Sequence, residues 1–445
     1  MGFHDQKLID RAMSLVDAAK KAGATEADAV VVRGSSKSVS VRDGQVESTD
    51  ASESNDMSLR VFCGKKVASV SAAIDGDADM LAERAVAMAK VSPEDPFNGL
   101  APEQLLAKEI ADLDLYDSTE MTADELRDEA LAMEAAALAV DGVTKSSGAG
   151  ASAGSGGLVL VTSHGFVGSY IGSRFGKSVS AIAGTGTGME RDYDFSSVIH
   201  ASELKSAEEV GRNAGERAVK RLNPRKMPTG SVDVVFDPRV ARGILGHVSA
   251  AINGAAVARK SSFLRDKMGE QILHENINII DQPHIVRGPG SRPFDGEGVA
   301  GETLSMVENG VLNHWFLSSS VGRELGLPTN GRGTRGGNVV TASSTNLSLE
   351  PGEISPEDMI KDVGTGFYVN EVIGQGVNMV TGEYSRGASG FWIENGELAF
   401  PVSEVTIASN LKDMFLRLIA ANEIDRTYST AAPTLLVEGM TLAGT

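Results

Sequence analysis

Pro228-Thr229-Gly230-Ser231-Val232-Asp233-Val234-Val235-Phe236-Asp237-Pro238-Arg239-Val240-Ala241-Arg242-Gly243-Ile244-Leu245-Gly246-His247-Val248-Ser249-Ala250-Ala251-Ile252 is the stretch that decides the fold of this 445-residue chain. Val232–Phe236 is a short β-branched and aromatic run, which predicts a strand. Asp237-Pro238 is a helix start, with a capping carboxylate followed by a proline at the first helical position. The stripe Val240, Ile244, Val248 and Ile252 then repeats every four residues, which predicts a helix reaching about residue 258. Asn223-Pro224 and Pro228-Thr229-Gly230 punctuate the chain just before this unit, so a domain boundary is expected near residue 225. The expected domains are 1–225 and 226–445.

Upstream, residues 5–22 place Leu8, Ile9, Ala12, Leu15, Val16 and Ala19 on one helical face, and Gly23 supplies the stop. Strand-like runs follow at 29–32, 38–42, 45–49, 58–62 and 66–72, with Asp43-Gly44 as a two-residue hairpin turn. Further helices are expected at 78–90, from Thr122, where Thr122 and Glu125 form a capping box, and at 203–222 behind Ser202. The Gly/Ala/Ser tract 145–157 reads as flexible by composition. Strands resume at 158–163, 166–173 and 178–184, with His164-Gly165 as a turn.

Downstream of the central helix the pattern is mostly β. Glu308-Asn309-Gly310 and Glu394-Asn395-Gly396 are hairpin turns, and Asn338–Thr341 looks like a strand. Short helices are expected at 355–362 and 410–421. The fold class is therefore α+β. The N-terminal α/β domain has antiparallel strands and several helices. The C-terminal domain is mostly antiparallel sheet, or barrel-like, with one long helix.

Asp and Glu number 60 against 41 Lys and Arg, a formal net charge of -19. Such a surface repels phosphate backbones and anionic bilayers, so neither nucleic acid nor membrane is an expected partner. Basic, unfolded peptides are the polymers it attracts. No apolar run approaches the ~18 residues of a membrane span. The opening residues lack the basic and apolar regions of a signal peptide, and Met1-Gly2 lacks the downstream Ser or Thr of a myristoylation motif. A cytoplasmic protein is expected. The single cysteine, Cys63, excludes an intrachain disulfide and every multi-cysteine metal site. It reads as a small structural residue.

Several short motifs match by letter and fail on context. Gly150-Ala151-Ser152-Ala153-Gly154 has the spacing of a nucleophile elbow but leads into a strand. Gly331-Arg332-Gly333-Thr334-Arg335-Gly336 has the spacing of a dinucleotide loop without the strand before it or the helix after it. Its two arginines remain candidates for contact with a peptide carboxylate or a partner. Gly172–Ser178 is one residue short of a phosphate loop and lies between strands. The histidines are His4, His164, His200, His247, His274, His284 and His314, and none pairs at the spacing that turns two imidazoles towards one zinc ion. Only His247 lies in a firmly helical stretch, where its plain reading is a helix-face histidine hydrogen-bonded at a domain contact.

Around this helix the chain resembles the TldD/PmbA family, long labelled modulators of DNA gyrase and described as metalloproteases. Pro228-Thr229-Gly230, Val234-Val235-Phe236-Asp237-Pro238 and Gly243-Ile244-Leu245-Gly246-His247 carry the resemblance. It extends over nearly the whole chain, through Ala27-Asp28-Ala29-Val30-Val31-Val32, Ser163-His164-Gly165, Phe294-Asp295-Gly296-Glu297-Gly298, Val307–Leu312 and Pro433-Thr434-Leu435. The TldD branch of the family carries His-Glu-x-x-x-His on this helix and a Cys near the C-terminus, which resemble a zinc site. With His247 at the first ligand, Val248 stands at the Glu position and Ile252 at the second His, and the C-terminal half has no Cys. One imidazole does not hold catalytic zinc, and no Glu is left to deprotonate a bound water.

The chain thus resembles the PmbA (TldE) branch. The resemblance implies a subunit of a TldD/TldE-type metalloprotease complex acting on unfolded peptides. It implies no catalytic residue, metal ligand or cofactor in this chain, and zinc in a TldD-type partner. A homodimer is also compatible with it. Two other readings stay open: a homo-oligomeric binding or scaffold protein without peptidase activity, and a metallopeptidase with an unrecognised site, such as His247 with carboxylates from other loops.

Overall fold

The computed structural model describes residues 6–336 and 339–444. The Met1-Gly2 reading, His4 and the start of the expected strand at Asn338 lie outside the described residues. The first half comprises α1 (Gln6–Lys21), β1 (Glu26–Arg42), β2 (Gln45–Cys63), β3 (Lys66–Ala73), α2 (Ala78–Val91), α3 (Ala123–Leu138), β4 (Val143–Thr162), β5 (Val167–Ala183), β6 (Glu190–Val198) and α4 (Ala207–Lys220). The strands form one antiparallel sheet in the order β3-β2-β1-β4-β5-β6. On one face, α1 and α2 cover one end of the strands through Leu15, Val31, Leu59 and Val86, and α3 and α4 cover the other through Val39, Val41, Leu126 and Val210.

Several expectations about this half are corrected, among them the separate strands at 166–173 and 178–184, which are the single strand β5. The runs 29–32 and 38–42 are the ends of the single strand β1, and 45–49 and 58–62 are the ends of β2. Their polar middles are paired residue by residue, so no loop intervenes. The tract 145–157 is likewise ordered strand: β4 runs through it with β1 on one side and β5 on the other. Composition misleads there because the backbones need the room. A Cβ on Gly154 would stand 2.9 Å from the Ser35 carbonyl oxygen.

α4 also starts later than read. Ser206, not Ser202, caps it by accepting the Glu209 N–H, and residues 201–203 form a separate tight turn. α4 lies close against α3 because Gly211 and Gly215 present no side chain. A Cβ on Gly211 would fall 2.3 Å from the Met133 carbonyl oxygen. At the first hairpin, Asp43 and Gly44 adopt φ of 53° and 73°, the left-handed pair that a two-residue turn requires.

The second half opens with β7 (Gly230–Phe236), α5 (Pro238–Ala251) and α6 (Gly254–Ala258). It continues through β8 (Ile279–Gln282), β9 (Leu304–Glu308), β10 (Val311–Leu312), α7 (Ser319–Leu325), β11 (Gly333–Gly336), β12 (Val339–Ala342) and β13 (Asn346–Leu349). α8 (Pro356–Val363), β14 (Thr365–Ile373), β15 (Glu383–Glu394), β16 (Glu397–Asn410), α9 (Leu411–Leu416), β17 (Leu418–Ala420), β18 (Thr430–Ala431) and β19 (Leu435–Ala443) complete it. β16, β15, β14, β7 and β19 pair in that order, and β19 returns to β16, closing a five-stranded barrel with β17 appended to β19. A second sheet, β10-β9-β8-β13-β18, lies beside it. The α+β reading with a barrel-like second half agrees with this architecture.

The central helix is two helices. α5 ends at Ala251, and the Asn253 side chain accepts the Ala255 N–H to start α6. The last expected helix, 410–421, is shorter, because residues 418–420 leave it to pair with β19. Val234, Phe236, Ile244, Val248, Phe316, Phe367 and Phe415 share one core that joins barrel, α5 and second sheet.

Candidate functional site

α5 presents His247. Its N-cap, Asp237, accepts the Arg239 N–H at 2.8 Å and the Tyr368 hydroxyl at 2.9 Å, which fixes where the helix leaves the barrel. Burial of Val240, Ala241, Ile244, Leu245 and Val248 presses one face of α5 into the core. His247 falls beside that stripe, half-buried, with its ring edge-on to Tyr384 of β15 at 6.0 Å. Burial, and then the nearby Arg386 cation, hold the imidazole below its usual pKa, so it is mainly neutral at pH 7.

The two positions that would complete a zinc site point elsewhere. Val248 is 1% and Ile252 0% exposed, and both fill the core. A carboxylate or imidazole at either place would meet hydrocarbon. Among the described residues no three His, Cys, Asp or Glu side chains converge so as to hold a metal ion. Cys63 lies at the end of β2, in the other half of the chain. The residues present around α5 therefore do not fit a catalytic zinc.

His164 and His200 are engaged elsewhere. His164 Nδ1 lies 3.0 Å from the Ala101 carbonyl oxygen, and His200 Nε2 lies 2.9 Å from that of Asp114. The elbow-like Gly150–Gly154 and the phosphate-loop-like Gly172–Ser178 sit inside β4 and β5. Gly333–Gly336 is a strand of the β11–β12 hairpin, so the dinucleotide motif has no helix after it.

The two arginines of that motif are each paired with a carboxylate of this chain. Arg332 is fully buried, with Nε donating to Asp281 Oδ2 at 2.7 Å and Nη2 to the Glu302 carbonyl at 2.7 Å. Arg335 lies 2.7 Å from Asp28 Oδ2. Burial removes Arg332 from the candidates for contact with a peptide carboxylate.

Arg335 belongs to a buried centre where the two halves meet. Asp28 of β1 is 0% exposed and accepts Arg60 Nε at 3.1 Å in addition to pairing with Arg335. Burial alone would raise its pKa, but the two guanidiniums outweigh that and hold it below the usual range. Next to it, Phe294 packs edge-on to Phe166 and Tyr170. Asp295 accepts the N–H groups of Glu297, Val299 and Gly333 at 2.7–2.9 Å, and Glu297 accepts that of Ser319 at 2.7 Å. The sequence contained these residues as a motif, but nothing in their spacing pairs Asp28 with Arg335.

Burial, and then the Glu297 charge, push the Asp295 carboxyl up to about 7. Folded Asp295 thus keeps a proton that the unfolded chain releases near its ordinary pKa. A raised folded pKa gives stability that is full below about pH 4 and is lost as pH rises through about 7. Half-buried His247 and His314, and the more exposed His284, whose pKa values are lowered, act in the opposite sense. The difference between wild type and Glu297→Gln therefore isolates the pair. Urea unfolding should show wild type losing stability relative to Glu297→Gln as pH rises from about 4 to about 7. A constant difference over that range contradicts the raised Asp295 pKa.

Family models match along the chain: "PmbA/TldA metallopeptidase domain 1" over residues 27–89, the central domain over 116–222 and the C-terminal domain over 229–444. The chain is 37% identical to a metalloprotease PmbA homolog of Haemophilus influenzae and 36% identical to metalloprotease PmbA of Escherichia coli O157:H7. Each match covers 99% of this chain and 97% of the relative. In structure it is similar to a protein of Bacteroides thetaiotaomicron described as a putative modulator of DNA gyrase, with TM-score 0.91, 27% identity and 100% of both chains covered. TldE from Thermococcus kodakarensis shares the fold, with TM-score 0.87 at 20% identity, covering 98% of this chain and 100% of that one. The chain belongs to the PmbA/TldD metalloprotease family.

Proposed function

We propose that this chain is the zinc-free, TldE-like subunit of a two-chain metallopeptidase acting on unfolded peptides in the cytoplasm. The observation that carries this reading is α5. At the places where a zinc helix needs a carboxylate and a second imidazole, it turns Val248 and Ile252 into the core. A TldD-type partner holds the zinc and performs the hydrolysis. This chain contributes walls and peptide-contacting surface, and no nucleic acid or membrane takes part. Among the described residues no helix is long and apolar enough to cross a membrane.

The test is cleavage of a reduced, unfolded protein by this chain, by a TldD-type chain and by their mixture. The mixture should cut at least about tenfold faster than the TldD-type chain alone, a barrier difference of about 1.4 kcal/mol. A mixture no faster than the TldD-type chain contradicts the subunit role. Cleavage by this chain alone at the mixture's rate contradicts its lack of an active site.

A further inference from the structure

A groove lies between the N-terminal sheet and α5. Its cavity of about 440 Å³ is lined by Arg174, Phe195, Arg239, Arg242 and Tyr428 among others, and every charged residue in the lining is an arginine. Arg239 is already neutralised by Asp192 at 2.9 Å and Asp237 at 3.4 Å. The other two have no carboxylate among the described residues. Arg174 Nη2 donates to the Pro289 carbonyl at 3.0 Å, and Arg242 lies over the Tyr428 ring at 3.8 Å. In a chain with 60 Asp and Glu against 41 Lys and Arg, two guanidiniums without paired carboxylates make this lining positive, and the carboxylates that act on its Tyr428, Asp194 and Asp425, stand outside the lining. Burial lowers the Arg174 pKa, an effect that an arriving anion reverses.

Next to the groove lies a second cavity of about 390 Å³ that shares Phe195 and Ser197 with it. Its floor follows from strand register. Ser38 faces Ser152, Ser152 faces Gly176 and Gly176 faces Ser197, while Ser40 faces Gly150 and Gly150 faces Ser178. Apart from Phe195, this face of β1, β4, β5 and β6 therefore presents nothing larger than serine there. Another chain can come close to such a floor and find hydroxyls for its amide groups.

We propose that this groove binds an acidic stretch of extended polypeptide, with carboxylates on Arg174 and Arg242 and the backbone along the Ser/Gly floor. Paired N–H donors of guanidinium suit carboxylate oxygens. Nucleic acid fits less well, because the rings that would stack on bases are engaged: Tyr428 by Arg242 and Phe195 by Tyr193 at 6.2 Å. The local field thus reverses the preference for basic peptides expected from net charge. The inference deepens the peptidase-subunit reading by naming a peptide class. It is tested on this chain alone, so it can fail while the complex still cleaves, and the reverse.

The experiment is fluorescence anisotropy with a fluorescein-labelled Glu/Ser/Gly peptide, its counterpart with Lys in place of Glu, and a single-stranded DNA oligomer. The Glu peptide should bind, more weakly as salt rises, and Arg174→Ala with Arg242→Ala should weaken it at least about tenfold. Ser152→Leu, at an exposed position, blocks the floor without touching either arginine and should also weaken binding. Equal binding of the Lys peptide, tighter binding of the DNA, or unchanged affinity in both variants overturns the proposal.

Discussion

Replacing Arg332 by Met should destabilise the protein by about 3–5 kcal/mol, the cost typical of removing one partner of a buried ion pair. Arg332 and Asp281 side chains are both 0% exposed. Arg332 donates to Asp281 Oδ2, to the Asn330 carbonyl at 2.7 Å and to the carbonyls of Asp281 and Glu302. Asp281 in turn accepts the Thr345 N–H at 2.7 Å and hydroxyl at 2.9 Å. Without the guanidinium, a carboxylate stays in the interior with only neutral donors. Replacing both residues, Arg332→Met with Asp281→Leu, should recover much of the loss, because neither charge is then left unpaired. Urea unfolding of the three variants checks this. A single variant within about 1 kcal/mol of wild type contradicts the assignment of Arg332 as a structural residue.

Asp28→Ala should be about as costly, roughly 3–5 kcal/mol, and for a different reason. It strands two cations, Arg60 and Arg335, that share one carboxylate. Arg60 comes from β2 and Arg335 from β11, so the loss falls on the contact between the two halves. Limited proteolysis should therefore open the β11–β12 hairpin in Asp28→Ala before either sheet is cut. The depressed Asp28 pKa gives stability that is present above about pH 4 and is lost as pH falls through the lower folded value. Asp28→Asn, which removes the charge and keeps the shape, should abolish that acid-side dependence. Proteolysis of Asp28→Ala at the wild-type rate contradicts a junction role.

Local signals carried much of the fold. The Asp43-Gly44, Asn309-Gly310 and Asn395-Gly396 turns have the positive φ values their sequences demand, and Thr122 and Glu125 make the capping box. Elements failed to read where tertiary contacts override composition. The Gly/Ala/Ser run in β4 is strand only because β1 and β5 flank it, and no window of that sequence contains those partners. The break between α5 and α6 depends on the Asn253 side chain turning back to a backbone N–H. For the candidate site, the helix residues were legible by name, His247, Val248 and Ile252, and the structure added where each side chain points. Arg174 and Arg242 were not legible as a pair, since strand β5 and helix α5 bring them together only in three dimensions.

The most direct measurement is the zinc content of this chain purified alone, after equilibration with zinc and desalting, beside that of its complex with a TldD-type chain. Far less than one zinc per chain is predicted for this protein alone. In the complex, zinc should be retained when His247 is changed to Ala. One zinc per chain bound by this protein alone, and lost in His247→Ala, would contradict a zinc-free subunit.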